Sequence, residues 1–302
     1  MTTRETLNTS SWLCTTDCRC IYDPLILLKH FQFRHFEQRH AINFPIIRGV
    51  LRLSIKYVVE YLRLECLKML QHDWPITLEA WDLREREAMC HNGVYESAKI
   101  RPHPIFVINL AHELGPAGAA LLPAAFYDLS RYNCSHIWMG CPNSVQDVLG
   151  GTNKGSTNTA RLSMADLQTV MIGKEASQTF IARFLQQKLE ERHVIDFCEH
   201  GPYQDGRECR NALDDLAHEM YRGVVGVTCG RDSDPLFTLD AAVVMQERGV
   251  DGGIGAHPAS RACERCRMEF AQTALTARRY VWNELPYWFG LKNMRDTPER
   301  FH

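Results

Sequence analysis

Apolar residues recur at helical spacing soon after the start of the chain. In FPIIRGVLRLSIKYVVEYLRLECLKML, from Phe44 to Leu70, Ile46, Ile47, Val50, Leu51, Tyr57, Val58, Leu62, Cys66 and Met69 fall at intervals of three and four, with Arg and Lys between them. The pattern predicts two packed amphipathic helices. WPITLEAWDLREREAMC follows, with Thr77 placed as an N-cap ahead of a charged, helix-favouring stretch. HPIFVINLAHELG is a further helix ending at Gly115, and LLPAAFYDLSRY starts another with Pro123 tolerated in its first turn.

Periodicity lapses over residues 142 to 161, PNSVQDVLGGTNKGSTNTAR, which are rich in Gly, Asn, Ser and Thr. This stretch reads as an exposed linker and a domain boundary. Beyond it, Ser163 and Asp166 form a capping box with Asp in place of Glu, and Gly173 is expected to interrupt the helix before EASQTFIARFLQQKLEE resumes. ALDDLAHEMY, DPLFTLDAAVVMQE and FAQTALTARRYVWNEL continue the pattern, and Pro286 is expected to close the last of these. Leu62, Trp81, Leu110 and Trp282 sit among apolar neighbours and are expected in the core. The fold class is therefore mostly α, with almost no strand signal and no internal repeat.

Composition narrows the class of protein. With 302 residues, 45% of them hydrophobic, the chain can bury more than one core. No apolar run approaches the roughly 18 residues of a membrane span, and MTTRETLNTSSWLC carries no secretory h-region, so the expected compartment is cytoplasm or nucleus. There, the 12 cysteines are expected to be reduced or metal-bound. A net charge of −2 gives no general attraction to phosphate backbones. From Arg192 to His302 there are 14 basic against 17 acidic side chains, a net of −3. Nucleic acid is a poor candidate partner.

Catalytic motifs do not emerge. GGTNKGST from Gly150 offers Ser156 where a phosphate-binding loop needs lysine, and His112-Glu113 and His218-Glu219 lack the second histidine of a zinc-protease helix. No nucleophile elbow is present, and the chain is expected not to be an enzyme. Cys14, Cys18 and Cys20 read as free thiols in the N-terminal segment, and Cys66, Cys90 and Cys134 as small apolar packing residues. The stronger constellation joins Cys198 and Cys209 in DFCEHGPYQDGRECR to Cys263 and Cys266 in RACERC. A Cys-x-x-Cys turn points two sulfurs inward, and a distant pair can complete a tetrahedral shell. The ten residues between Cys198 and Cys209 exceed the usual spacing, so His200 or Cys229 is an alternative fourth ligand. Two readings stand here: one structural zinc ion, or four reduced thiols.

Taken in order, GVLRLSIKYVVEYLR, WPITLEAWD, PHPIFVINLAHELG, LLPAAFYDLSRY, IGKEASQTF, DPLFTLD and CERC with VWNELPYWFGL resemble the BTB/POZ domain-containing proteins of mushroom-forming fungi, over Phe44 to Leu291. The resemblance implies an α/β BTB module used for dimerisation and partner binding, then a helical region. GVLRLSIKYVVEYLR corresponds to the closing helices of that module, and residues 1 to 40 are too few to supply its sheet. The expected layout is thus an N-terminal segment over 1–43, poorly packed and a truncated BTB start; BTB-type helices and a following helical region over 44–141; the linker over 142–161; a helical region with the cysteine pairs over 162–291; and a tail over 292–302. The implied role is protein–protein interaction, as a remnant adaptor for ubiquitin-ligase components of the cullin type. A zinc-stabilised nucleic-acid-binding or transcription-regulating protein is the alternative.

Overall fold

Phe44, Ile47, Val50, Leu51 and Ser54 share one side of the first predicted helix and are buried, so this stretch folds as α1 (Phe44–Lys56). The helical path breaks at Val58, whose φ of 56° is a left-handed value rarely taken by a β-branched residue. It resumes as α2 (Glu60–Asp73), which packs on α1. The computed structural model describes residues 44–90, 94–97, 101–142, 159–190, 198–200, 206–225, 234–248 and 261–292. The expectations for residues 1–43, including Cys14, Cys18 and Cys20, for Cys229 and for Ser156 fall outside these residues.

The next elements follow the sequence closely. α3 (Leu78–Glu87) begins at Thr77, whose hydroxyl accepts the Ala80 N–H at 3.3 Å. α4 (Pro104–Leu114) ends at Gly115, at φ 58°. Two 3-10 turns lead into α5 (Leu122–Ser130), where Pro123 occupies the first turn and needs no N–H partner. α5 is buried along nearly its whole length, which places it at the centre of the molecule. After α6 (Cys134–Met139) comes a two-residue antiparallel pair, β1 (Cys141–Pro142) with β2 (Thr159–Ala160), at the two ends of the predicted linker.

α7 (Met164–Leu185) starts as expected: the Ser163 hydroxyl accepts the Asp166 N–H at 3.1 Å and donates to its carboxylate at 2.7 Å. Gly173 does not interrupt it. The Phe289 ring lies against this glycine, and a Cβ there would fall 2.0 Å from Phe289 Cε1. Its role is therefore close helix-to-aromatic packing, a requirement of tertiary structure that leaves no trace in local periodicity.

A π-helical turn follows α7, and then α8 (Arg207–Val225), α9 (Pro235–Arg248) and α10 (Glu264–Trp288) complete the described chain. Pro286 does not stop α10, which runs through it to Trp288. The stop comes at Gly290, at φ 59°, where Gly290 N–H donates to Tyr287 O at 3.0 Å and Leu291 N–H to Pro286 O at 2.8 Å. α10 packs along α9 and reaches α5, where Phe126 and Phe289 stack with centroids 5.7 Å apart. One hydrophobic core thus draws residues from both sides of the 142–161 stretch. None of the described helices is long and apolar enough to cross a membrane.

Three of the four expected core residues, Leu62, Trp81 and Leu110, are fully buried. Trp282 is the exception. It is half-buried at the rim, 5.7 Å from the Trp81 ring, with its indole N–H donating to Ile76 O at 3.3 Å. Trp81→Ala should cost about 3–5 kcal/mol in urea unfolding, and Trp282→Ala clearly less; equal losses would show that the rim site carries core-like packing. Among the cysteines read as packing residues, Cys66 is buried and Cys90 half-buried, but Cys134 is exposed at the start of the short α6.

Candidate metal centre

Cys198, Cys209, Cys263 and Cys266, 68 residues apart at the extremes, meet at one point: their sulfurs all lie within 4.8 Å of one another, and all four residues are buried. Two helix beginnings aim at them. Cys209 is in the first turn of α8, entered through Gly206, and Cys263 is the residue before α10, with Cys266 in its first turn. The partial positive charge of each helix N-terminus favours thiolate at these positions. Cys198 arrives on the turn 198–200, where His200 O accepts the Gly206 N–H at 3.3 Å and so closes the chain around the cluster. Ala212 and Ala262 seal the sulfurs laterally, forming with them a small core separate from the main one.

The spacing suits one ion. Bonds of about 2.3 Å to a tetrahedral centre put sulfurs about 3.8 Å apart; Cys198 to Cys209 is 3.6 Å and Cys198 to Cys263 is 4.0 Å. Both distances far exceed a disulfide bond, and all four cysteines are free. Burial pushes the Cys209 thiol up to about 11, and burial with the neighbouring thiols pushes Cys266 well above its ordinary value. Burial also acts against the Cys263 thiolate, but the backbone N–H groups of Cys266 and Glu199 and the Cys266 and Cys209 thiols outweigh it and hold Cys263 below the usual range. Four thiolates side by side repel one another, and a divalent cation relieves that repulsion while displacing protons. The cluster could hold a metal ion.

Outside the thiols, Cys209 Sγ is contacted by the Cys263 N–H at 3.2 Å and by His200 Nδ1 at 3.4 Å. His200, the alternative ligand from sequence, therefore stands beside the four cysteines rather than in place of one. Gln246 ties α9 to the site, its side chain accepting the Ala262 N–H at 3.4 Å and donating to Ala212 O at 3.5 Å.

A second concentration of ionisable groups lies in the main core and had no counterpart in the sequence reading. The Arg84 guanidinium, fully buried, stacks on Trp81 and Trp74 at 4.4 and 5.0 Å. It donates to Asp73 O, Glu85 and Asp128, each at 2.7 Å. Arg131 bonds Glu85 at 3.0 Å and Tyr95 at 3.1 Å, and lies 3.3 Å from both Asp128 and Asp234. Asp234 in turn accepts the Tyr127 hydroxyl and caps α9 through the Leu236 and Phe237 N–H groups at 2.9 and 3.3 Å. Burial acts against the Glu85 carboxylate, yet Arg131 and Arg84 together hold its pKa below the usual value; for Asp234 burial dominates and raises it. Two guanidinium groups thus face three carboxyl groups, and the network joins α3, α5 and α9. The two helical His-Glu pairs are surface residues: His112 bonds Asp166 at 2.8 Å, Glu113 pairs with Arg48 and Arg52, and His218 and Glu219 are exposed.

Comparison with protein-family models, with curated proteins and with solved structures finds no match to this chain.

Proposed function

We propose that this chain is a non-enzymatic protein–protein interaction protein, a remnant adaptor of the fungal BTB/POZ kind, whose C-terminal helices are clamped by one structural zinc ion. The observation that carries the zinc clamp, and with it the structural rather than catalytic character of the site, is the closed set of four buried sulfurs within 4.8 Å. Four thiolates fill a tetrahedral shell and leave no position for a substrate or an activated water, the arrangement of a structural rather than a catalytic zinc. All-sulfur tetrahedral coordination selects zinc over harder cations, and sulfurs this close surround one ion rather than a multi-iron cluster. The buried arginine and carboxylate network supports the same reading, because its groups are consumed in holding helices together. Facing solvent, the Trp138 side chain at 63% exposure and Met139 at 57% sit side by side on α6, the kind of residues that anchor partner surfaces.

The test is affinity capture of the tagged full chain from fungal cells with mass spectrometry, run beside Trp138→Ala. Cullin-type ligase subunits, lost with the variant, are the expected result. Chromatin proteins together with a salt-dependent DNA affinity would replace this reading with the nucleic-acid one, against which the −3 charge balance of the C-terminal part speaks.

A further inference from the structure

Resting on the four-thiolate zinc reading, we infer that His200 is a reserve ligand of the centre, able to take the place of Cys209 and hold the metal in a three-sulfur, one-nitrogen shell. His200 Nδ1 lies 3.4 Å from Cys209 Sγ, closer than the edge of about 3.8 Å that separates neighbouring ligands of a tetrahedral zinc. A swing of the imidazole that moves this nitrogen by 3.4 Å carries it to the position the sulfur occupies. Two features permit the swing. His200 rides on the same short turn as Cys198, so it stays tethered to the centre by a retained ligand. Its side chain is 34% exposed, leaving room to move on the solvent side, and the swing takes Nδ1 away from Glu208 Oε2, 3.5 Å from it. As a ligand the imidazole binds through Nδ1 with its one proton on Nε2, and the Cys209 sulfur it displaces takes up a proton from solvent. A neutral nitrogen then replaces a thiolate, and the centre becomes one unit less negative. His200 contacts Cys209 alone among the four thiols, so the reserve serves that ligand and no other.

Cobalt(II) titration of the full chain reads this directly. The unmodified chain should bind one cobalt per chain with a four-thiolate charge-transfer band. Cys209→Ala should still bind one cobalt, its band weaker by about a quarter as one of four Co–S bonds is lost. A paramagnetically shifted imidazole N–H signal should appear, and affinity should fall about 10- to 100-fold. Cys209→Ala with His200→Ala should lose at least a further tenfold, and Cys266→Ala should lose cobalt without gaining the imidazole signal. Loss of cobalt from Cys209→Ala as complete as from Cys266→Ala overturns the inference, as does a double variant that binds like the single one. If Cys209→Ala fails to fold, the rate of zinc transfer to a chelator decides: it passes through loss of a first thiolate, so His200→Ala should speed it about tenfold, and an unchanged rate overturns the reserve role. Absence of cobalt binding by the unmodified chain would instead remove the four-thiolate reading itself.

Discussion

Arg84→Met is expected to destabilise the fold by about 3–5 kcal/mol, the cost of leaving buried charges without their partner. Methionine keeps much of the arginine's length against Trp74 and Trp81, so the loss reports charge and hydrogen bonding rather than volume. Asp128 loses its 2.7 Å partner and Glu85 one of its two arginines, while Asp73 O loses a donor. Arg63→Met on α2, where the ion pair with Glu60 is solvent-exposed, should change stability by no more than about 0.5 kcal/mol. The two arginines also differ in pH response. Glu85 has its carboxyl pKa lowered in the fold, so its contribution is present above its unfolded pKa of about 4.3 and fades as pH falls through the lower folded value. Arg84→Met should weaken that acid dependence, and Arg63→Met should leave it alone. Urea unfolding at pH 7 and pH 4 measures both, and a loss below about 1 kcal/mol for Arg84→Met would mean that the remaining arginines reorganise to neutralise the carboxylates.

How much of this could be read along the chain follows from how local each cause is. Thr77, Ser163 and the apolar stripe of α1 act within one or two turns, and their helices begin where the sequence placed them. Cys263 and Cys266 were legible for the same reason, since a Cys-x-x-Cys turn is a local device; Cys198 and Cys209 entered as a second pair in the same half of the chain although their spacing exceeded the usual one, and the fold brings all four together. What failed depends on contacts far apart in sequence. Gly173 looks like a helix breaker until Phe289 is seen against it, and Pro286 looks like a stop although the turn beyond it is closed by Gly290. Arg84 was the deepest miss: in LREREA it reads as one charge on a solvated face, because nothing nearby announces Asp128, 44 residues on, or the two tryptophans that enclose it. Phe126 and Phe289, which stack in one core, likewise come from opposite sides of the 142–161 stretch, a contact that local composition does not announce.

Zinc removal is expected to loosen one end of the molecule. Structural zinc in small modules carries an apparent binding energy of about 10–16 kcal/mol at neutral pH, and where the site forms only in the folded state this is folding energy. Here the metal would join the turn 198–200, the first turn of α8 and the start of α10, none of which has apolar anchoring of its own beyond the small cluster with Ala212 and Ala262. The far end of α10 is held independently, through Val281, Leu285 and Phe289 in the main core. Strong chelation should therefore raise hydrogen exchange in the first turns of α8 and α10 while residues 44 to 135 keep their protection. The melting temperature should fall by about 10 °C or more, since each kcal/mol is worth about 2–4 °C in a chain of this size. Restored zinc should reverse both changes, and so should cadmium, another thiolate-seeking cation, whereas magnesium should not. Metal analysis of the purified chain decides the premise: less than about one zinc per ten chains, with Cys198, Cys209, Cys263 and Cys266 all reacting with a thiol reagent in the folded state, would leave four reduced thiols as the reading that stands.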